Sequence, residues 1–326
     1  MSYLGDRHNF GRATKLVNGR FHKPRPIYWE WLFFGVDSPL KNHLPAAFHN
    51  LFKLRVLDHQ TPHSGLVEPL SGIPLDQDSA LHVQAQNYAP LAAYSLFFGI
   101  SDLHVHNLFV TPDGVAVPID VECVFMPMEL ANETALFPHR NVPSHLCFWN
   151  IWRGDKLDLM ASFVRSFQEL IAVRGTISKC LLSLKGLTEV PVRIIQRPTG
   201  EYLGYLGSAQ QPTMAFRESE QVQLDRGDVP YFFCTLGEPL IRLYTTPDWQ
   251  SSVVPELAEG ELLKTIAGLS ALLDERRLLK TFIQSLLWMG SRLVSEDFSL
   301  AGAVSVTRRG SNIEVSIDGQ TYRASN

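Results

Sequence analysis

The sequence predicts an α+β protein of two lobes, a small β-rich lobe over residues 1–80 and a larger, mainly helical lobe over 81–326 that ends in a small β tail. Three observations lead there. The first ~25 residues are short apolar runs around turn residues, with Asn18-Gly19 the clearest turn, and read as a hairpin. Residues 81–98, 157–184 and 260–294 carry apolar groups at helical spacing. The end, AVSVTRRGSNIEVSIDGQTYRA, alternates apolar and polar positions around turns at Gly310-Ser311 and Asp318-Gly319, as strands do.

Between these anchors the elements follow in order. Residues 27–36 (IYWEWLFFGV) are apolar but well short of the ~20 residues of a membrane span, so a buried helix or strand is expected. Residues 42–80 are rich in Pro, His, Gly and Asp and should hold short helices and long loops. Pro90 should kink or interrupt the helix over 81–98. A loop at 99–107 then leads into a hairpin with strands 108–110 and 115–125 around Thr111-Pro112-Asp113-Gly114. The helix over 157–184 is carried by Leu159, Phe163, Phe167, Leu170 and Ile171, with an interruption at Gly175. VPVRII (191–196) reads as a strand, and 260–294 as one or two amphipathic helices with a break near Asp274-Glu275.

Composition narrows the function. The chain has 326 residues, 45% hydrophobic and 19% charged, with a formal net charge of −4, so no basic excess points to nucleic acid or an anionic membrane. Cys123, Cys147, Cys180 and Cys234 lack paired CxxC spacing, which argues against a disulfide framework or a structural zinc site and suits a reducing cytoplasm. The start has no signal-peptide core.

The chemistry is concentrated in SDLHVHNLFVTPDGVAVPIDVE, residues 101–122. Asp102 and Asn107 stand in a polar loop after a helix; Asp120 and Glu122 end the hairpin that follows. Phosphoryl transfer needs a carboxylate to orient and deprotonate a hydroxyl, and an amide and a carboxylate to hold magnesium. Protein kinases use an Asp and an Asn separated by four residues, then an Asp after a short hairpin. That step is present here, with Asp-Val-Glu in place of Asp-Phe-Gly. If 120–122 is a strand, Asp120 and Glu122 share a face and both could reach one metal. Asp113, in Pro-Asp-Gly, reads as a turn residue. His104 reads as a loop-orienting group and His106 as a solvated loop residue.

Lys23, in His22-Lys23-Pro24-Arg25-Pro26, follows the first hairpin, where a kinase-type lysine would reach the nucleotide phosphates. A surface basic turn is the alternative. Glu30 reads either as the partner of Lys23 or as a surface glutamate. The two glycines of Gly5-Asp6-Arg7-His8-Asn9-Phe10-Gly11 permit close backbone approach to phosphate. Asp6 and His8 would point the same way on a strand.

In this order the pieces resemble the dehydratase domain of class II lanthipeptide synthetases. That family is recognised by Gly-Asp-x-His-x-x-Gly, Lys-Pro-Arg, Asp-x-His-x-Glu-Asn and Asp-x-Glu. Here these are Gly5 to Gly11, Lys23-Pro24-Arg25, Asp102 to Asn107 (with His106 where the family usually has Glu) and Asp120-Val121-Glu122. Arg193 to Thr199 with Tyr202, and Arg226-Gly227-Asp228-Val229-Pro230-Tyr231-Phe232, also match, so the resemblance covers roughly residues 3–240. It implies a lipid-kinase-type two-lobed core that phosphorylates Ser or Thr hydroxyls of a ribosomal peptide with ATP and magnesium, then eliminates the phosphate. By resemblance Lys23, Arg25, Asp6 and His8 belong to the nucleotide site. Asp102 is the catalytic carboxylate, with His104 supporting. Asn107 and Asp120 hold magnesium with Glu122 beside them, and Arg193 and Thr199 serve the elimination.

Two departures shape the expectation. Met1 stands four residues before Gly5, so the long segment preceding this motif in the family is expected to be absent, which puts peptide-leader recognition in question. No Cys/His zinc set is present, so ring closure is not expected. The acceptor is therefore a small molecule, a carrier-bound amino acid, or a peptide delivered by a partner protein. Three functions follow: a dehydratase that phosphorylates and eliminates, a phosphotransferase only, or a nucleotide-binding pseudoenzyme that activates a partner.

Overall fold

A computed structural model describes residues 3–75, 83, 85–103, 107–126, 155–207, 215–238, 240–257, 273–291, 298–300, 304–309 and 312–325. The chain is α+β, with small antiparallel sheets and buried helices. No helix among the described residues is long and apolar enough to cross a membrane.

The start is a meander rather than one hairpin. Strands β1 (Tyr3–His8), β2 (Arg12–Val17) and β3 (Arg20–Lys23) pair in sequence, and β4 (Gly65–Val67) adds to β3. Asn18-Gly19 forms the expected β2–β3 turn; residues 9–11 form a second turn that makes His8 face Arg12. The chain then enters helix α1 (Tyr28–Phe34), which buries Trp29, Glu30, Leu32, Phe33 and Phe34. Two 3-10 turns, Pro39–His43 and Ala46–Leu51, account for part of the Pro/His-rich stretch.

Helix α2 (Ala85–Phe98) continues through Pro90. Pro90 sits in the second turn, so its missing N–H removes one intrahelical bond. Burial of residues 88–98 on all sides outweighs that loss. Phe33, Tyr94, Phe98 and Phe125 form an aromatic centre where α1, α2 and the stretch after the hairpin meet. Helix α3 (Lys156–Ser183) runs unbroken through Gly175 and packs along α2. A glycine costs a helix about 1 kcal/mol relative to alanine. That is small beside the burial of Phe163, Phe167, Leu170, Ile177 and Leu181 on the inner face.

The hairpin after α2 is shorter on its second side than expected. Strand β5 (Ile73–Pro74) pairs with β6 (Leu108–Val110), which pairs with β7 (Ala116–Pro118); residues 119–125 belong to no strand. They run beside the end of α2 instead. Ser101 N donates to Cys123 O at 2.8 Å, Phe125 N to Phe98 O at 2.8 Å and Met126 N to Gly99 O at 2.9 Å. Gly99 has φ +61°, and a Cβ there would lie 2.3 Å from Met126 O, so only glycine allows this approach. The contact fixes the Asp102 loop against the Asp120–Glu122 stretch.

β structure is not confined to the beginning and the tail. Strands β8 (Val192–Ile194), β9 (Phe232–Cys234), β10 (Arg242–Tyr244) and β11 (Ser251–Val253) form a sheet in the order β11-β10-β9-β8. Helices α4 (Thr199–Leu206) and α5 (Glu218–Leu224) lie between β8 and β9 in the chain. Helix α6 (Glu275–Ser291) starts where the sequence suggested a break. Asp274 Oδ1 accepts from Arg276 N and Arg277 N at 3.0 and 3.2 Å, an N-cap. The preceding half of that predicted helical stretch lies outside the described residues. Helix α6 packs on the closing sheet of β12 (Phe298–Leu300), β13 (Val304–Arg309), β14 (Asn312–Ile317) and β15 (Gln320–Ser325).

Candidate functional site

A cavity of about 700 Å³ opens between the first sheet, the β6–β7 hairpin, β8 and the start of α4. Its wall includes Lys23, Asp102, Asn107 and Asp120, the four residues singled out by kinase-like order. Asp6, His8, Arg25, Glu122, Arg193 and Thr199 line it as well. His104 and His106 lie outside the described residues. The apolar part of the wall comes from Ala13, Phe21 and Val67 of the first sheet and Phe109 and Ile119 of the hairpin.

Lys23 is the last residue of β3, and Glu30 lies one turn into α1. Lys23 Nζ is 2.8 Å from Glu30 Oε1, and it also donates to the carbonyl of Ile119. Of the two readings of Glu30, the buried partner is the one observed: its side chain is 0% exposed. Oε1 also accepts from Arg25 Nη2 at 2.6 Å and Val121 N at 3.4 Å. Oε2 is buried without a hydrogen-bond partner among the described residues.

Arg25, expected among the nucleotide contacts, lines the cavity, its buried guanidinium held by Glu30, by Asp120, by the Pro26 carbonyl at 3.0 Å and by Glu122 at 3.4 Å. Burial works against its charge, yet the three carboxylates raise its pKa above the ordinary value. Pro24 and Pro26 fix the chain on either side, which turns a basic triplet inward as the hub of an ionic network.

Glu122, expected beside the metal ligands, lines the same cavity. Oε1 accepts from Arg193 Nη1 at 3.0 Å, and Oε2 accepts from Tyr231 O–H at 2.8 Å. Both oxygens are engaged by the protein's own donors. Arg193, on β8, also donates its backbone N–H to Glu122 O at 3.0 Å and lies over the Tyr231 ring at 5.3 Å. Asp120 and Glu122 lie off any strand, so the strand alternation expected to give them a common face is absent; Arg25 contacts both.

Asn107 and Asp120 are brought close by the foot of the hairpin, where Ile119 N donates to Asn107 O at 2.9 Å. Asn107 Nδ2 donates to the carbonyl of Asp102 at 2.9 Å, bridging the Asp–Asn step. Asp102 itself is held at φ +61°, a conformation that aspartate tolerates better than most residues. Its pKa is raised to about 7, chiefly by desolvation and further by Asp120, Glu122 and Asp6, against the lowering field of Arg193. Asp120 goes the other way. Burial works against its charge, but Arg25, Lys23 and Arg193 prevail and hold it at about 2. Two carboxylates in one cavity thus have opposite protonation tendencies, the arrangement that separates a proton acceptor from a permanent anion.

His8 and Asp6 share the cavity-facing side of β1. His8 Nδ1 is 2.8 Å from Val229 O, so the proton of the neutral ring sits on Nδ1. Burial and Arg193 lower its pKa to about 4, which keeps the ring neutral. In the turn after it, Phe10 N and Gly11 N donate to Asp228 at 2.8 and 2.7 Å.

Thr199 opens α4, which is positioned by a second ionic knot. Glu220 accepts from Arg197 Nε at 2.8 Å, Tyr202 O–H at 2.6 Å and Arg217 N at 2.8 Å. Tyr231, Asp228, Gln223 and Arg12 carry site geometry to which residue-level reading gave no role. The signal for the first two was the Arg226–Phe232 stretch. Gln223, fully buried, accepts from Tyr231 N at 2.8 Å, and nothing local in the sequence announces that bond. Among the described residues no group of three or more His, Cys, Asp or Glu side chains is placed to hold a metal ion. No protein-family model matches the chain, and no curated protein matches it.

Proposed function

We propose that this chain binds a magnesium–nucleoside triphosphate, transfers its terminal phosphoryl group to a Ser- or Thr-type hydroxyl, and then eliminates the phosphate to leave a dehydroamino acid. One observation carries the reading: Lys23 lines one cavity with Asp102, Asn107 and Asp120, a stretch that begins 79 residues later in the chain. Its volume, about 700 Å³, lies in the range of small-molecule sites. The Lys23–Glu30 pair, between a strand lysine and a helix glutamate, is the pair that protein kinases require for activity. On this reading residues 1–80 are the nucleotide-binding lobe and 81–326 the catalytic lobe of a kinase-like fold, in a cytoplasmic setting.

Each residue then has a task. The apolar wall of Ala13, Phe21, Val67 and Phe109 suits a nucleobase. Lys23 has three N–H donors, and its two protein partners leave one for a phosphate oxygen. Asn107 and Asp120 would hold magnesium. The Asn107 Nδ2 bond to Asp102 turns the amide oxygen the other way, and Asp120 stays ionised. Two protein oxygens completed by phosphate and water are an ordinary magnesium set. Magnesium supplies charge neutralisation at the phosphates. Asp102, near neutral pKa, orients the acceptor hydroxyl and takes its proton.

For elimination, a base removes the α-proton, those electrons become the new carbon–carbon double bond, and the phosphate departs with the C–O pair. Arg193 and Thr199 stabilise the departing dianion. The acceptor is a peptide, a carrier-bound amino acid or a small molecule, with a partner protein delivering it where needed. A phosphotransferase without elimination is the second reading, favoured by the bond of Arg193 to Glu122, which competes with a phosphate for the guanidinium.

Mass spectrometry of hydroxyl-bearing peptides incubated with the protein, ATP and magnesium tests both. Loss of water supports the dehydratase, and gain of phosphate alone supports the second reading. Failure of MgATP to bind or turn over rejects both.

A further inference from the structure

The turn between β1 and β2 is held in a conformation its own residues disfavour. Asn9, Phe10 and Gly11 have φ of +48°, +69° and +75°. Glycine and asparagine tolerate that region; a phenylalanine there is strained. Such a run turns successive N–H groups toward one point and makes an anion nest. Here the anion is a carboxylate from far along the chain. Phe10 N donates to Asp228 Oδ2 at 2.8 Å and Gly11 N to Oδ1 at 2.7 Å, and Asp228 is 0% exposed. Arg226 lies 3.6 Å from the same carboxylate and 4.1 Å over the Phe10 ring.

The residues after Asp228 extend the attachment to both walls of the cavity. Val229 N donates to Arg7 O at 2.8 Å, and Val229 O accepts from His8 Nδ1 at 2.8 Å. Tyr231 O–H reaches across to Glu122 at 2.8 Å. The span from Asp228 to Tyr231 therefore ties strand β1 to the carboxylate stretch that follows the hairpin.

We propose that Asp228 is a positioning residue of the cavity. By filling the nest it holds the 9–11 turn in place, and with Val229 it fixes the ring and tautomer of His8. The turn's N–H groups are then committed to the protein and are not donated to phosphate. The effect on ligand affinity rests on the nucleotide reading above; the brace itself is testable without ligand.

The test uses the intact chain. Asp228→Asn keeps the size but leaves one acceptor and turns an N–H toward an N–H. Gly11→Ala adds a methyl that meets nothing within 4 Å, so it acts only through the backbone at φ +75°. Both variants should abolish the slowly exchanging His8 Nδ1–H signal in NMR spectra. Asp228→Asn should speed deuterium exchange of the Gly11 amide on the order of 10- to 100-fold, as loss of charge-assisted hydrogen bonds implies. MgATP affinity by calorimetry should fall about tenfold, the result of a turn only one-tenth in its competent geometry. Adding Phe10→Gly to Asp228→Asn relieves the strained φ and should restore part of the His8 signal.

A lower melting temperature in Asp228→Asn with the His8 signal unmoved overturns the proposal, because a purely structural role predicts that pattern. Should Asp228→Asn fail to fold, an intact His8 signal in Gly11→Ala overturns it equally. If wild type binds no MgATP but the His8 signal responds as described, the brace stands and the nucleotide reading falls.

Discussion

Glu30 and Glu220 are both fully buried and paired with arginine, yet their surroundings differ. Both oxygens of Glu220 are bonded: Oε1 by Arg197 and Tyr202, Oε2 by Arg197 and Arg217 N. Burial opposes its charge, but those donors lower its pKa below the ordinary value. Glu30 crowds three donors onto Oε1 and leaves Oε2 without a hydrogen bond among the described residues. Its network also holds Asp120 and Glu122, and with Asp102 and Arg193 it brings several charges of each sign to one cavity. A buried knot whose needs are met internally stabilises a conformation. One with excess charge at a cavity wall is organised for a charged ligand.

The largest expected effect lies in the cavity knot. If Asp102 is the proton acceptor proposed above, Asp102→Asn should lower phosphoryl transfer by roughly 10²- to 10⁴-fold with MgATP affinity kept, as measured by initial rates and calorimetry. The same variant should be more stable than wild type in alkali. The folded pKa of Asp102, about 7, lies above its ordinary 3.8, so the native state binds this proton more tightly than the unfolded chain. Stability from that proton is complete at low pH and is lost as pH rises through about 7. Urea unfolding at about pH 8 should favour Asp102→Asn by on the order of 4 kcal/mol, with the difference vanishing below about pH 4. Equal stability at both pH values would remove Asp102 from the buried charge balance.

Glu220→Ala probes the satisfied knot. It leaves Arg197 with Glu201 and the Ala215 carbonyl but takes the acceptor from the Tyr202 hydroxyl and the Arg217 amide, and should cost roughly 1–3 kcal/mol of stability. MgATP affinity should be little changed in the protein that remains folded, since Glu220 is not among the cavity's lining residues. A Glu220 variant that loses nucleotide binding at full stability would erase the distinction between the two knots.

These two regions were unequally legible in the sequence. The cavity residues sit in short motifs whose order follows from how few parts phosphoryl transfer needs, so Lys23, Asp102, Asn107 and Asp120 could be named before any coordinates. The α+β class and the closing strands were equally readable, because period-2 alternation and Asn-Gly or Asp-Gly turns are local signals. What was not local was missed. Nothing near Arg25 in the sequence announces the three carboxylates that the folded chain sets around it. Glu122 reads as a metal neighbour until Tyr231, 109 residues away, takes one of its oxygens. Nothing nearby in sequence reveals that Asp228 accepts from the amides of the 9–11 turn. Gly175 and Pro90 were read as breaks because propensity was weighed without the burial that overrides it.

Arg193 and Thr199 sharpen the comparison from inside the cavity. On the proposed reading, elimination builds negative charge on the departing phosphate, whereas phosphorylation would already be served by Lys23 and magnesium. Arg193→Ala or Thr199→Ala should therefore slow elimination about 100-fold, the loss of one oxyanion donor worth roughly 3 kcal/mol, and product mass should shift from dehydrated to phosphorylated. Arg193 also holds Glu122, so its variant should lose stability, while Thr199→Ala should not. Thr199 is the cleaner probe for that reason. Dehydration at the wild-type rate in both variants would leave the cavity's charges without the second task assigned to them.

The smallest effect comes from a position that belongs to neither knot. Gly175 lies in the middle of α3, and a Cβ built there meets no atom within 4 Å. Its φ is not in the left-handed range, so alanine fits the existing backbone. Gly175→Ala should stabilise the protein by about 1 kcal/mol, partly by favouring the helix and partly by restricting the unfolded chain. A raised urea midpoint with an unchanged slope would show that the gain is one of stability alone. Because the site is remote from both knots, the increment should add to the cost of Glu220→Ala and leave the pH dependence of Asp102→Asn as it was. A double variant that departs from additivity would mean that α3 carries strain between the two knots, and the separation drawn between them would have to be redrawn along that helix.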